Sequence, residues 1–506
     1  MNENEKKQLK SLTVVLAAGQ IFFFSMLAVC ISAIGVAYDY FYMVPTGRYI
    51  LNHGIMRSTV FSVLDMKLVV QQWLYCVYLY VISPLGGFGI IAGILLVFLL
   101  INLVVFRILR AKGVDRISAG LVLFFCFAFS FCGYLLEIRP EAVTFLLCVL
   151  EIYLIEKYIK TGRAWLLYLL PLLMLLEINL HGSMWVVHYI VALPYLFGFV
   201  LTKIINRRKA DGKEKAQPKK NAVHVILTGI LMTLMLFVNP YGIDMILYTP
   251  RTFLAKTFRY LTVSELGRPD LFSPVGLAIA IVLAGTVFLV VKKKISYSSL
   301  CAVVIYLVMA VTYNRNISYI YLAMFYFLTE LALYLKGPDV NLSLELNRKQ
   351  KTVGIILSFL AAVSLSVVAY KFLFLSGDFL SKNVPMKIIK YLDENASKNS
   401  VIYTGFNSGN YLEYSGYENI YVDSRPEIYM EKLNGTYDLL PEYSKYACYV
   451  FYSEFISDEE YREYLDRYGF EYLVTDVEMK LRNYLERSGD YELVLSDHGY
   501  SLYRRV

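Results

Sequence analysis

Few residues in this chain have the chemistry to handle a charged substrate, and they occur in short mixed sets. Asp39 stands alone among aromatics in Tyr38-Asp39-Tyr40-Phe41-Tyr42. Glu137 and Arg139 share Glu137-Ile138-Arg139-Pro140. Asn179 and His181 share Asn179-Leu180-His181-Gly182, and Arg315 lies in Tyr313-Asn314-Arg315-Asn316. Arg48, His53 and Asp65 fall in the stretch 37–67, and Glu265 in the stretch 239–272. A carboxylate at the edge of an apolar medium is costly to ionise, which suits a proton acceptor working near neutrality. A guanidinium stays charged and can grip phosphate through two parallel N–H bonds. Each type also has a plainer use: Asp as a helix cap, Arg snorkelling to headgroups, His as a buried hydrogen bonder.

The elements that must position these sets are apolar. The 506 residues are 57% hydrophobic and only 18% charged, with a mean hydropathy of +0.51, too greasy for a water-facing fold. Runs of roughly 20 apolar residues, enough to cross a bilayer, lie near 12–36, 88–106, 117–135, 141–158, 164–178, 183–201, 222–238, 274–291, 296–312, 317–335 and 352–375, about eleven spans in all. The first run is too long for a cleaved signal peptide and lacks its small-residue site. Met66–Ile82, with Lys67, Gln71 and Gln72, is polar at its start and short. If it is interfacial or re-entrant, the N-terminus and the clusters 107–116, 157–163, 203–220, 292–294 and 348–351 all face the cytoplasm. The positive-inside rule favours that arrangement for a multi-pass plasma-membrane protein with an extracytoplasmic C-terminal domain. Every mixed polar set then falls on the outer face. The net charge of +8 is spread over these loops rather than gathered in a patch, so nucleic acid is not an expected partner.

The chain divides into a membrane domain, 1–377, with a first outer loop 37–67, and an extracytoplasmic domain, 378–506. In the latter, Val401–Phe406, Asn419–Asp423, Glu471–Thr475, Tyr491–Leu495 and Tyr500–Arg504 read as strands. Asp458–Tyr468 and Asp476–Arg487 read as helices, giving a small α/β layer. Gly405-Phe406-Asn407-Ser408-Gly409 follows a strand, as a phosphate loop would, but matches no full fingerprint. Asp423-Ser424-Arg425-Pro426-Glu427 ends another strand, and Asp423 with Arg425 is either a site or a structural ion pair. Cys448 is the domain's only cysteine, so no disulfide framework exists there. No Walker loop, HExxH, paired CxxC or GxSxG occurs, which leaves ATP-driven transport and zinc proteolysis without support. Well inside the spans, only Glu151 and Glu330 are charged residues, both toward the cytoplasmic ends, unlike an ion-coupled transporter.

The order of the polar sets resembles the GT-C superfamily of membrane glycosyltransferases. It is closest to a bacterial branch that carries a soluble C-terminal domain and takes sugars from polyprenyl-phosphate carriers. The matching residues are Asp39, Phe41, Tyr42, Gly47-Arg48, His53-Gly54, Trp73-Leu74, Arg139-Pro140, Asn179-Leu180-His181-Gly182, Asn239-Pro240-Tyr241-Gly242, Arg315-Asn316 and Val422-Asp423-Ser424-Arg425. Met43, Thr59 and Gln72 stand where that branch tends to carry His, Asp and an acid, which counts against a divalent metal in the first loop. No other cofactor is implied.

The resemblance implies a polytopic GT-C-like helical fold and an inverting sugar transfer at the outer face of the cell envelope. The donor would be a polyprenyl-phosphate sugar, and the acceptor a cell-surface glycan, lipid or protein. Asp39 would be the base. Arg139, Arg315 and His181 would hold the donor phosphate, supported by Glu137, Asn179, Arg48, His53, Asp65 and Glu265. The rival expectation is a non-catalytic transporter or assembly factor for lipid-linked glycans. The abundance of Tyr and Phe fits an interfacial belt in membrane lipid under either reading.

Overall fold

The computed structural model of the protein describes residues 38–130, 137–209, 220–254, 267–335, 384–447, 456–476 and 480–506. The expected spans 12–36 and 352–375, the boundary at 377/378 and Glu265 lie outside these residues.

The membrane domain is helical because its runs are apolar and lack interior breakers, apart from single prolines. Among the described residues, four helices are long and apolar enough to cross a bilayer: Ala92–Ala111, Gly182–Leu201, Pro274–Val291 and Asn314–Leu335. Shorter apolar helices fall at Trp73–Leu85, Ala164–Leu180, Ala222–Met235 and Tyr297–Thr312. Side chains such as Leu277, Val287 and Ile226 are largely exposed on the outside of the bundle, an arrangement suited to lipid contact. The opposite faces interlock, with Tyr306, Tyr321 and Tyr326 almost fully buried.

The stretch 38–67, expected as the first outer loop, is not wholly irregular. It contains a helix, α1 (Tyr40–His53), whose first eight residues are all buried. Phe41 packs edge-on against Tyr411 and Tyr414, with ring centroids 4.8 and 5.3 Å apart, so aromatic burial against the C-terminal domain orders the loop. Beyond it, the chain runs without helix to Gln72 and then forms α2 (Trp73–Ile82). Ten helical residues rise about 15 Å, half the thickness of a bilayer core, so α2 cannot cross alone. The helices that carry the site follow in order: α3 (Gly86–Ala111), α4 (Arg116–Ser130), α5 (Glu141–Thr161), α6 (Leu170–Leu180), α7 (Trp185–Lys209), α8 (Lys220–Met235) and α9 (Ile243–Leu254).

The C-terminal domain carries a four-stranded sheet of Ile402–Thr404, Tyr472–Asp476, Tyr491–Asp497 and Tyr500–Arg505. The first two strands pair in parallel and the remaining pairings are antiparallel. Asp458–Tyr468 is a helix started by a Ser457–Glu460 capping box and ended by Gly469 in the left-handed region. The strand expected at Asn419–Asp423 does not form a ladder. Ile420 instead bridges Ile402 on one side and Ser62 of the outer loop on the other. Its backbone exchanges bonds with Phe61 and Val63 at 3.1 and 2.9 Å, tying the two domains together.

Candidate functional site

The site grows from the junction of these two domains. Asp39 sits just before α1 with helical dihedrals, and its side chain caps nothing. Its carboxylate is held from outside the helix. Ser424 Oγ donates to Oδ1 at 3.0 Å, and Arg139 Nη2 lies 3.5 Å from Oδ2. Asn410 fixes Ser424 in turn, accepting from its backbone N–H at 3.0 Å and donating to its hydroxyl at 2.8 Å. The same Asn410 amide donates to the Tyr38 carbonyl at 2.9 Å. A residue 385 positions further along the chain therefore aims the carboxylate.

Arg139 also meets Glu137, Nε to Oε2 at 3.1 Å, so three of the expected residues form one ion cluster. Arg315 pairs with Glu141, the first residue of α5 and one not singled out from sequence. Glu141 couples electrostatically to Arg139 and His181 as well, placing it between the two arginines. His181 is fully buried at the end of α6, its Nδ1 2.8 Å from Thr144 Oγ1. Burial pushes this imidazole below its usual value, with Glu141 and Glu177 acting against that shift.

The remaining candidates separate from this cluster. Asn179 is a brace: its carbonyl accepts from Trp73 Nε1 at 3.1 Å, and its amide donates to the Leu175 and Val238 carbonyls. Arg48, His53 and Asp65 are exposed, and His53 stacks on Tyr49. Of the positions that depart from the resembled branch, Met43 is buried, Thr59 bonds the Leu64 carbonyl, and Gln72 donates to Tyr42 at 2.7 Å. Among the described residues, no three His, Cys, Asp or Glu are disposed to hold a metal ion.

Asp423 and Arg425 form an ion pair. Arg425 donates Nε and Nη2 to the two Asp423 oxygens at 3.0 and 2.6 Å, and Nη2 also reaches Glu413 at 2.8 Å. One guanidinium thus serves two buried acids. Burial alone would raise both carboxyls. The fork-on-fork contact with Arg425 holds Asp423 below the usual range, while Glu413 is driven well above it. Arg425 lies 4.7 Å over the Tyr42 ring of α1, so this interior pair still supports the Asp39 helix. Two residues on, Glu427 accepts from Tyr248 of α9 at 2.8 Å. The Gly405–Gly409 turn is a packing element: a Cβ on Gly409 would stand 2.0 Å from the Val422 carbonyl, and the Gly405 N–H is spent on Ser408.

Sequence reasoning missed Glu141 and Asn410 as site neighbours, and gave Ser424 and Glu427 no role of their own within the set 423–427. Glu141 reads as an ordinary acid in the first turn of a helix, although its place directly after Arg139-Pro140 was a usable signal. The contacts of Asn410, Ser424 and Glu427 with the bundle emerge only from the structure. The expectation that Glu151 and Glu330 are the notable ionisable residues of the spans overlooked His188, which is buried between Glu151 and Glu177. Glu330 accepts from Ser296 and Ser299 at the start of the Tyr297–Thr312 helix.

No protein-family model matches the chain, and no curated protein does either. Solved structures do match over nearly its whole length. The apo oligosaccharyltransferase of Archaeoglobus fulgidus aligns with a TM-score of 0.57 at 12% identity, covering 92% of this chain and 70% of that one. The same enzyme tethered to an acceptor peptide gives 0.53 at 11% identity, covering 94% and 70%. ArnT from Cupriavidus metallidurans bound to undecaprenyl phosphate gives 0.51 at 12% identity, covering 98% of each chain. These are GT-C superfamily glycosyltransferases, and the chain has their fold. Identities this low establish the architecture and leave the chemistry to the site.

Proposed function

We propose that the protein is a GT-C-type glycosyltransferase that moves a sugar from a polyprenyl-phosphate donor to an acceptor at the outer face of the membrane. The observation that carries this reading is the Asp39 carboxylate, aimed by Ser424 and facing Arg139 where the bundle meets the C-terminal domain. The shared fold supports the reaction class. The ArnT relative, whose structure contains undecaprenyl phosphate, supports a lipid phosphate as the donor's handle.

The chemistry follows from the arrangement. Asp39 takes the proton of the acceptor hydroxyl as its oxygen attacks the anomeric carbon, and the bond to the lipid phosphate breaks with inversion. Arg139 and Arg315 face the departing phosphate, exchanging their present carboxylate partners for its oxygens. The apolar bundle surface holds the isoprenoid. Glycan, lipid and protein all offer the required hydroxyl or amide.

The test is transfer of labelled sugar from a polyprenyl-phosphate donor by the purified chain in lipid nanodiscs, beside lipid-linked glycan profiling of a strain lacking it. Accumulation of unconsumed donor in that strain is the expected result. A normal donor pool, with no transfer in vitro, would overturn the reading.

A further inference from the structure

The interior of the bundle holds a polar chain that the transfer step above does not use. Thr144 Oγ1 donates to Glu177 Oε1 at 2.7 Å and lies 2.8 Å from His181 Nδ1. Glu177 Oε2 is 3.5 Å from His188 Nε2, and His188 Nδ1 is 2.6 Å from Glu151 Oε2. All five residues are buried. Ionisable side chains at this depth are expensive and are rarely kept without a use.

The hydrogen-bond arithmetic constrains the imidazole. A threonine hydroxyl has one proton. Spent on Glu177, it meets His181 Nδ1 as an acceptor, so Nδ1 must carry the ring hydrogen. A carboxylate at Glu177 can only accept, which is the orientation this bond needs. The lone pair of neutral His181 is then on Nε2, which is buried and has no hydrogen-bond partner among the described residues. The charged groups around His181 are Glu141 from α5, Glu177 from α6 and Arg315.

Charge balance says what that nitrogen can do. Asp39, Glu137 and Glu141 set three negative charges against two on Arg139 and Arg315. A phosphate monoanion arriving here adds a second surplus negative charge in a region of low dielectric. We infer that His181 is a proton-uptake site linked to phosphate binding, with Thr144 and Glu177 as positioning residues that hold its Nδ1–H tautomer. When an anionic phosphate settles beside Arg315, Nε2 gains a proton from water and the imidazolium offsets the new charge. Glu177 stabilises that cation through Thr144. The identity of the ligand as a lipid phosphate rests on the proposed function, whereas the tautomer does not.

Two measurements separate these levels. The chain has five histidines, so selective ¹⁵N-histidine labelling gives a short spectrum in which His181→Gln identifies the signal. His181 should appear in the ligand-free protein as the neutral Nδ1–H form, and Thr144→Val should abolish that preference. A neutral Nε2–H ring in the unaltered protein would overturn the relay outright. Calorimetry then uses the methyl diester of a short polyprenyl phosphate, which remains a monoanion across neutral pH, in buffers of differing ionisation enthalpy. Between the free-state and bound-state pKa of His181, binding should take up close to one proton and weaken about tenfold per pH unit. Thr144→Val and Glu177→Gln should both flatten that slope. Binding without proton uptake would sink the linkage while sparing the phosphate site. Absence of binding at any pH would sink the phosphate site and the linkage together.

Discussion

Replacing Asp39 by Asn separates a catalytic carboxylate from a structural one, because the structure shows what the side chain holds. Asn retains an oxygen for Ser424 Oγ, which now donates to Oδ1 at 3.0 Å. It loses the charge facing Arg139 at 3.5 Å, in a pair whose side chains are 13% and 23% exposed. Partly solvated pairs of this kind are worth about 0.2–1 kcal/mol. Arg139 keeps Glu137 as a partner, so no buried cation is stranded. No helix cap is lost, since Asp39 makes no side-chain cap bond. A change of about 1 kcal/mol would move the melting temperature by about 2–4 °C in a domain of ordinary size. The loss of a general base is of another order, about 10² or more in rate, or roughly 2.7 kcal/mol of barrier. The assay pairs sugar transfer from a polyprenyl-phosphate donor with thermal unfolding of the same nanodisc preparation. A turnover within about threefold of the parent, under 1 kcal/mol of barrier, in a variant of unchanged stability would remove Asp39 from the chemistry.

Other outcomes follow from the same geometry. Arg139→Lys should weaken donor binding nearly as much as Arg139→Ala, by about one to two decades, because an ammonium lacks the planar fork; unaltered binding in an Arg139→Ala, Arg315→Ala double variant would refute the phosphate clamp. Arg425→Met strands Asp423 and Glu413 in the C-terminal domain and should cost about 3–5 kcal/mol, read as earlier thermal unfolding and faster proteolysis of that domain; a loss under about 1 kcal/mol would show that the pair is not structural. Glu413, raised by burial above the ordinary 4.5, favours the fold in its neutral form, so its contribution is complete at acid pH and is lost as pH climbs from about 4.5 through the raised value. Glu413→Gln should therefore flatten the stability profile on the alkaline side of that point, and an unchanged slope would contradict the assignment. A cysteine at Lys390, whose side chain is 78% exposed, should be labelled from outside intact cells while one at Gly212 stays protected; the reverse pattern would invert the orientation.

What could be read from the sequence and what could not divide along a physical line. Residue type announces the chemistry a side chain can do, so Asp39, Arg139, Arg315 and His181 stood out in an apolar chain without any structure. Hydropathy announced the bundle for the same reason: the free-energy cost of burying or exposing a side chain is nearly local. Partner choice is not local. Asp39 owes its aim to Ser424, and Ser424 owes its own to Asn410, through bonds that span almost the whole chain. Asp423 and Arg425 read as a structural ion pair ahead of a site, but the second acid, Glu413, that makes the guanidinium an interior hub could not be read from the sequence. Asn179 and His181, two residues apart in one motif, proved to have different work. Asn179 bonds Trp73 and two carbonyls, whereas His181 keeps one nitrogen without a partner among the described residues. A motif therefore marks where the chain concentrates polar groups, and only the surrounding hydrogen-bond inventory tells which of them retain capacity for a substrate. By that criterion, and on the proposed function, the arginines facing carboxylates they could exchange, and the imidazole with a vacant lone pair, are the groups to test against an incoming phosphate.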